Sequence, residues 1–154
     1  MKFRTEREMF DLINNTAKED ERILAVMLNG SRADSSVKKY IYQDYDIVYF
    51  VTDTKPFRNN KKWLEEKFGK VAVMQTPETM KLLPPDNNGK FVFLTIFEDG
   101  NRIDLTVTDD LSYNSDGEPA VMLLDKTGSI KTAENRNGYW LVEPPTEKYF
   151  SDLK

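Results

Sequence analysis

The chain has no cysteine and no histidine among its 154 residues. The first absence removes any disulfide framework and any thiolate chemistry. The second removes the commonest general base and metal ligand, so proton transfer here falls to carboxylates, lysine or tyrosine. No apolar run approaches the length of a membrane span. The opening residues Met1-Lys2-Phe3-Arg4-Thr5-Glu6 have no apolar stretch behind them of the secretory kind, so the expected location is the cytoplasm. An excess of basic charge is also lacking, with 22 Lys and Arg against 26 Asp and Glu, a net charge of −4 and a pI of about 5.0. There is no global basic field to draw the chain to nucleic acid, and a mildly acidic surface suits a cationic small molecule instead. Internal repeats and low-complexity segments are absent too.

What is present is a globular balance: 31% charged and 39% hydrophobic residues, in a length that suits one domain with a real core. The stretch that organises the chain is Gln43-Asp44-Tyr45-Asp46-Ile47-Val48-Tyr49-Phe50-Val51. It is apolar, aromatic and β-branched, with two carboxylates at its start. Side chains alternate along a strand, so Asp44 and Asp46 share a face and repel unless a cation lies between them. Hard oxygen ligands select magnesium or calcium.

Taken in order, Thr5-Glu6-Arg7-Glu8 reads as a capping box opening a helix near residues 5–19, with Met9, Leu12, Ile13 and Ala17 on its apolar stripe. Ile23–Leu28 reads as a buried strand, and Asn29-Gly30-Ser31-Arg32 as a tight turn directly after it. The aspartate-bearing strand follows at about 44–52. Asp53-Thr54-Lys55-Pro56 opens one helix whose apolar side is Trp63, Leu64 and Phe68, stopped by Gly69. Strands are expected at 71–74, 91–97, 102–107 and 121–124, with an Asp99-Gly100 hairpin turn joining the second and third of these. A short helix is expected from Thr76 to Leu83, a polar loop over 109–119, and a last apolar piece over Tyr139–Val142. Pro144-Pro145-Thr146 then opens a helix that the chain does not continue. The expected organisation is a catalytic domain over residues 1–143 and the beginning of a second, helical domain over 144–154.

Three carboxylates on strands, Asp44, Asp46 and Asp104, could hold two magnesium ions at one sheet edge if the strand of Asp104 lies beside the other. Two such ions clamp the oxygens of an in-line phosphoryl displacement. Gly30 and Ser31 would hold a triphosphate on backbone N–H groups and a hydroxyl, and Arg32 could neutralise developing charge. Asp104 could take the proton from an acceptor hydroxyl. Each feature also has a plainer reading. Asp-x-Asp can be a solvated strand end, Gly-Ser a simple turn, Asp104 a hairpin residue paired with Arg102 or a lysine, and Arg32 a surface ion pair. Asp99 reads as turn chemistry, Trp63, Phe91, Phe93 and Phe97 as core, and Asp109, Asp110 and Asp116 as solvated.

Gly-Ser, a gap, Asp-x-Asp on a strand and a lone Asp on a later strand resemble the DNA polymerase beta-like nucleotidyltransferase superfamily. Gly30 and Asp44 stand 14 positions apart, a spacing that suits it. The closer resemblance is to the aminoglycoside 6-adenylyltransferases, also called streptomycin adenylyltransferases. It is carried by Ala17–Ile23, Asn29–Arg32, Gln43–Ile47 and Phe97–Thr106, and extended by Leu123–Lys126 and Pro145–Glu147. The resemblance implies an α+β (α/β) fold, a polymerase beta-like palm with a mixed β-sheet and flanking helices. It implies magnesium-dependent transfer of AMP from ATP to a hydroxyl of an aminoglycoside such as streptomycin. It places Gly30 and Ser31 at the phosphate-holding turn, Asp44 and Asp46 at the metal pair, and Asp104 as the third carboxylate. The family's helical C-terminal domain, which helps to form the drug cleft, would begin where this chain stops. Two alternatives stand beside this reading: a stand-alone minimal nucleotidyltransferase acting on a protein or nucleic acid, and a non-catalytic module that keeps the fold and forms a homodimer through an exposed apolar face.

Overall fold

The computed structural model describes residues 2–34, 36–38, 42–58, 60, 62–76, 90–113, 120–128 and 130. Helix α1 (Glu6–Glu19) begins at the capping box. The Glu8 N–H donates to the Thr5 hydroxyl at 3.1 Å, and the Thr5 N–H donates to the Glu8 carboxylate at 3.1 Å. Such a cap stabilises a helix by about 1 kcal/mol. The helix buries Met9, Phe10, Ile13 and Ala17. Leu12, expected on this stripe, is only partly buried, and Phe10 takes the deeper position.

Strands β1 (Ile23–Asn29), β2 (Tyr45–Val51), β3 (Val71–Gln75), β4 (Lys90–Phe97), β5 (Arg102–Thr108) and β6 (Ala120–Asp125) form one sheet in the order β3-β4-β5-β2-β1-β6. β2 and β5 are parallel, and every other neighbouring pair is antiparallel, so the sheet is mixed as expected. A single 3₁₀ turn, Gly30–Ala33, follows β1.

The segment after β2 differs from the expected single helix. It forms α2 (Lys55–Arg58) and α3 (Lys62–Phe68). Asn60 lies between them, and asparagine is a weak helix former. Asn60 N–H bonds the Phe57 carbonyl at 3.3 Å, and the Asn60 carbonyl accepts from Trp63 at 3.1 Å. The break lets Phe57 and Trp63 meet edge to face, with ring centroids 5.0 Å apart and both side chains buried. The expected helix over 76–83, the loop beyond residue 113, and the pieces over 139–154 lie outside the described residues, apart from Thr76 itself.

The main core lies on one face of the sheet, where α1 and α3 pack over Tyr45, Ile47, Tyr49, Phe93, Ile103 and Leu105. The Tyr49 hydroxyl donates to the Ile13 carbonyl at 2.6 Å, tying the central strand to the helix above it. Each large apolar side chain buried in this layer contributes about 1.5–3 kcal/mol. Alternation places Asp46, Val48 and Phe50 on the opposite face, where Val48 and Phe50 join a smaller cluster with Ala25, Met27, Ala120 and Met122. Among the described residues no helix is long and apolar enough to cross a membrane.

The β4–β5 turn anchors the N-terminus. Asp99 is buried and accepts from Arg4 N and Nε at 3.1 and 2.7 Å, and from Asn101 N and Nδ2 at 3.0 and 2.9 Å. The Arg4 guanidinium also donates to the Phe68 carbonyl and lies over the Phe97 ring, 5.2 Å from its centroid. Burial alone would raise the Asp99 pKa, but the hydrogen bonds from Arg4 and Asn101 outweigh it and hold the carboxyl well below the usual carboxylate range. A carboxylate with a depressed folded pKa contributes stability that is complete above its unfolded pKa of about 4 and is lost as pH falls below it. Asp99→Asn is therefore expected to lower stability by about 2 kcal/mol at neutral pH and to flatten the acid limb of the stability curve. Urea unfolding between pH 3 and pH 7 measures both, and an unchanged acid limb would count against this role for Asp99.

Candidate active site

The acidic residues collect where three strands end or begin together. β1 finishes at Asn29, while β2 and β5 both start at this edge. In the ladder Asp46 stands opposite Asn29 on β1 and opposite Asp104 on β5. Because β2 and β5 are parallel, Asp46 and Asp104 also project from the same face. Asp44 precedes β2 by one residue, and alternation puts it on that face as well.

One side chain links these carboxylates. Arg102 lies two residues before Asp104 on β5, and its Nε is 3.1 Å from Asp104 Oδ1 and 3.6 Å from Asp44 Oδ2. Its Nη2 lies 3.4 Å from Asp104 Oδ2. The hydrogen bond to Asp104, reinforced by the charges of Asp104, Asp44 and Asp46, raises the guanidinium pKa above its usual value. At Asp44 burial is the largest effect and raises the pKa; repulsion from Asp104 adds to it, while Arg102 and Arg32 oppose it. The raised proton affinity of Asp44 therefore reflects its burial, with the two arginines offsetting the repulsion from Asp104.

Gly30 makes the close approach of turn and strand possible. Its φ is +76°, a region that favours glycine, and a Cβ at this position would collide with the Asp46 carboxylate. Ser31 is exposed beside it, and its hydroxyl accepts from Gln43 Nε2 at 3.2 Å. The edge thus gathers Gly30, Ser31, Asp44, Asp46 and Asp104.

Arg32 points elsewhere. It is only 4% exposed, and its guanidinium donates to the Gln43 carbonyl at 3.1 and 2.7 Å and pairs with Glu6. It also stacks over the Tyr45 ring, 3.8 Å from the centroid. These contacts commit Arg32 to fastening the turn, the approach to β2 and the start of α1 to one another. Sequence reasoning gave no role to Gln43 or Glu6. The first binds both Arg32 and Ser31, and the second neutralises Arg32 across 26 positions of sequence. No periodicity signals such a pairing. Arg102 was legible only as one of several partners for Asp104.

The donor set suits a hard divalent cation, since carboxylate oxygens are the ligands such ions prefer. Among the described residues, however, no three acidic side chains converge on a point where one ion would sit. The Arg102 guanidinium stands between two of them, a positive group already in the position that a cation would neutralise.

A family model described as streptomycin adenylyltransferase matches residues 3–154. The chain belongs to the streptomycin adenylyltransferase family. Within and around that family, an aminoglycoside 6-adenylyltransferase of Bacillus subtilis (strain 168) is 44% identical over 156 residues, covering 97% of this chain and 54% of the relative. Proteins of the same name from Staphylococcus aureus and Campylobacter jejuni are 35% and 37% identical, each over 97% of this chain and 54% and 52% of their own lengths. The crystal structure of an aminoglycoside 6-adenyltransferase from Bacillus subtilis superimposes with a TM-score of 0.65 at 39% identity, covering 97% of this chain and 51% of that one. The chain therefore spans about half the length of the relatives it matches.

For this streptomycin adenylyltransferase family member, removing Arg32 takes a buried guanidinium away from the partly buried Glu6 carboxylate and from the Gln43 carbonyl. Arg32→Met is expected to lower stability by about 3 kcal/mol. Denaturant unfolding checks this, and a loss under about 1 kcal/mol, the range of an exposed ion pair, would show that Arg32 is not a fastener.

Proposed function

We propose that this chain is the nucleotidyl-transfer part of an aminoglycoside adenylyltransferase, moving AMP from ATP to a hydroxyl of an aminoglycoside such as streptomycin, in the cytoplasm. The observation that carries the reading is the ladder register that sets Asp46 beside Asp104, in a chain whose family model covers residues 3–154. Names of the matched relatives supply the aminoglycoside.

In this reading the Gly30-Ser31 turn receives the triphosphate, with backbone N–H groups and the Ser31 hydroxyl as donors. Asp44, Asp46 and Asp104 would hold magnesium, which when bound polarises the phosphoryl oxygens and offsets the charge that gathers in the transition state. The acceptor hydroxyl oxygen attacks the α-phosphorus in line, the bond from that phosphorus to the β-phosphate's bridging oxygen breaks, and pyrophosphate departs. Asp104, half-buried on the open side of β5, takes the proton of the hydroxyl. The acidic edge also favours the approach of a polycationic aminoglycoside.

Calorimetric titration with a non-hydrolysable ATP analogue tests the site directly. Binding is expected with magnesium and not without it. Asp44→Asn is expected to weaken the magnesium-supported binding at least about tenfold. Equal binding in the absence of magnesium, or by the Asp44→Asn chain, would overturn the assignment.

A further inference from the structure

We propose that Arg102 is the resident counter-cation of the Asp44–Asp46–Asp104 edge, and that a divalent cation enters by displacing its guanidinium. The inference rests on reading those carboxylates as a divalent-cation site. Three observations carry it. First, one guanidinium spans carboxylates from two adjacent segments, with Nε 3.1 Å from Asp104 and 3.6 Å from Asp44. It lies where the three negative charges are least tolerable without a cation. Second, the Arg102 side chain is 43% exposed, so it can rotate into solvent without opening the core. Third, the other arginine near this edge is built differently. Arg32 is enclosed by Glu6, Gln43 and Tyr45 and has no such freedom.

The two arginines therefore divide the work. Arg32 fastens the frame, while Arg102 neutralises the open edge reversibly. An exposed guanidinium–carboxylate pair is weak and screened by salt, so it yields to an ion that carboxylate oxygens can bind directly. Metal entry becomes an exchange of one cation for another, and the carboxylates stay aligned before the metal arrives. The same competition lowers the affinity of the site for the metal.

The test uses the chain as it stands and magnesium alone. In calorimetric titrations R102Q is expected to bind magnesium at least about fivefold more tightly than the parent chain. R102K, which keeps the charge but loses the planar fork, is expected to fall between them. Independently, the Nε–Hε resonance of Arg102 in the parent chain, assigned by its loss in R102K and R102Q, should shift with the same midpoint as the calorimetric binding. Equal or weaker magnesium binding by R102Q with a native circular dichroism spectrum would overturn the proposal, as would an Arg102 resonance that stays put while magnesium saturates the chain. Asp44→Asn separates the two levels of argument. If the parent chain binds magnesium, Asp44→Asn does not, and R102Q is unchanged, the carboxylate site stands and only the displacement falls. If neither the parent chain nor R102Q binds magnesium, both fall.

Discussion

Strand β2 runs antiparallel to β1 on one side and parallel to β5 on the other, and its backbone ladders hold the whole acidic edge in register. A slip of one residue on either side would send Tyr45, Ile47 and Tyr49 out of the core and turn Asp44 and Asp46 into it. The apolar face therefore specifies the position of the carboxylates more strongly than the carboxylates themselves do. Their mutual repulsion opposes the arrangement, and the burial of aromatic and β-branched side chains on the reverse face overcomes it. Site and core are two faces of the same strand.

Around that strand, charge is used in two ways. Two ion pairs, each with one side chain buried and the other partly buried, join segments far apart in sequence. Arg32 with Glu6 joins the turn after β1 to the first turn of α1, and Arg4 with Asp99 joins the N-terminal segment to the β4–β5 turn. Losing one member of such a pair removes a charge partner from a group that is at least partly withdrawn from water, which is why these contacts act as fasteners even where their net contribution to stability is small. At the open edge, by contrast, Arg102 faces carboxylates that water also reaches. There the pair is open to solvent and screened by salt, unlike the two fasteners.

Much of the fold was legible because local and global signals agree. Thr5 and Glu8 open α1 as a capping box, and Ile103, Leu105 and Val107 alternate cleanly with Arg102, Asp104 and Thr106 along β5. Phe91, Phe93 and Phe97, read as core, are buried. The α2–α3 break was missed because the helix start at Lys55-Pro56 and the apolar side of Trp63, Leu64 and Phe68 were read as one element, and no proline or glycine stands between them to mark a stop. Arg32 was read as neutralising developing charge at the phosphates or as a surface ion pair. Its direction depends on Glu6 and on the Gln43 carbonyl, which a neighbouring-residue argument does not reach.

By itself, the sequence determined the order of the six strands, the capped first helix, the apolar and polar faces of β5, and the family to which the chain belongs. These follow from periodicity and from short-range backbone chemistry, which act within a few residues. Tertiary structure alone decided that β5 lies parallel to β2 with Asp104 level with Asp46, that Gly30 packs against Asp46, and that one arginine is enclosed while the other bridges the carboxylates. Gly30 and Asp46 are 16 positions apart, Glu6 and Arg32 are 26 apart, and Asp46 and Asp104 are 58 apart; the energies of such contacts depend on distance in space and on burial, neither of which is written in the local pattern.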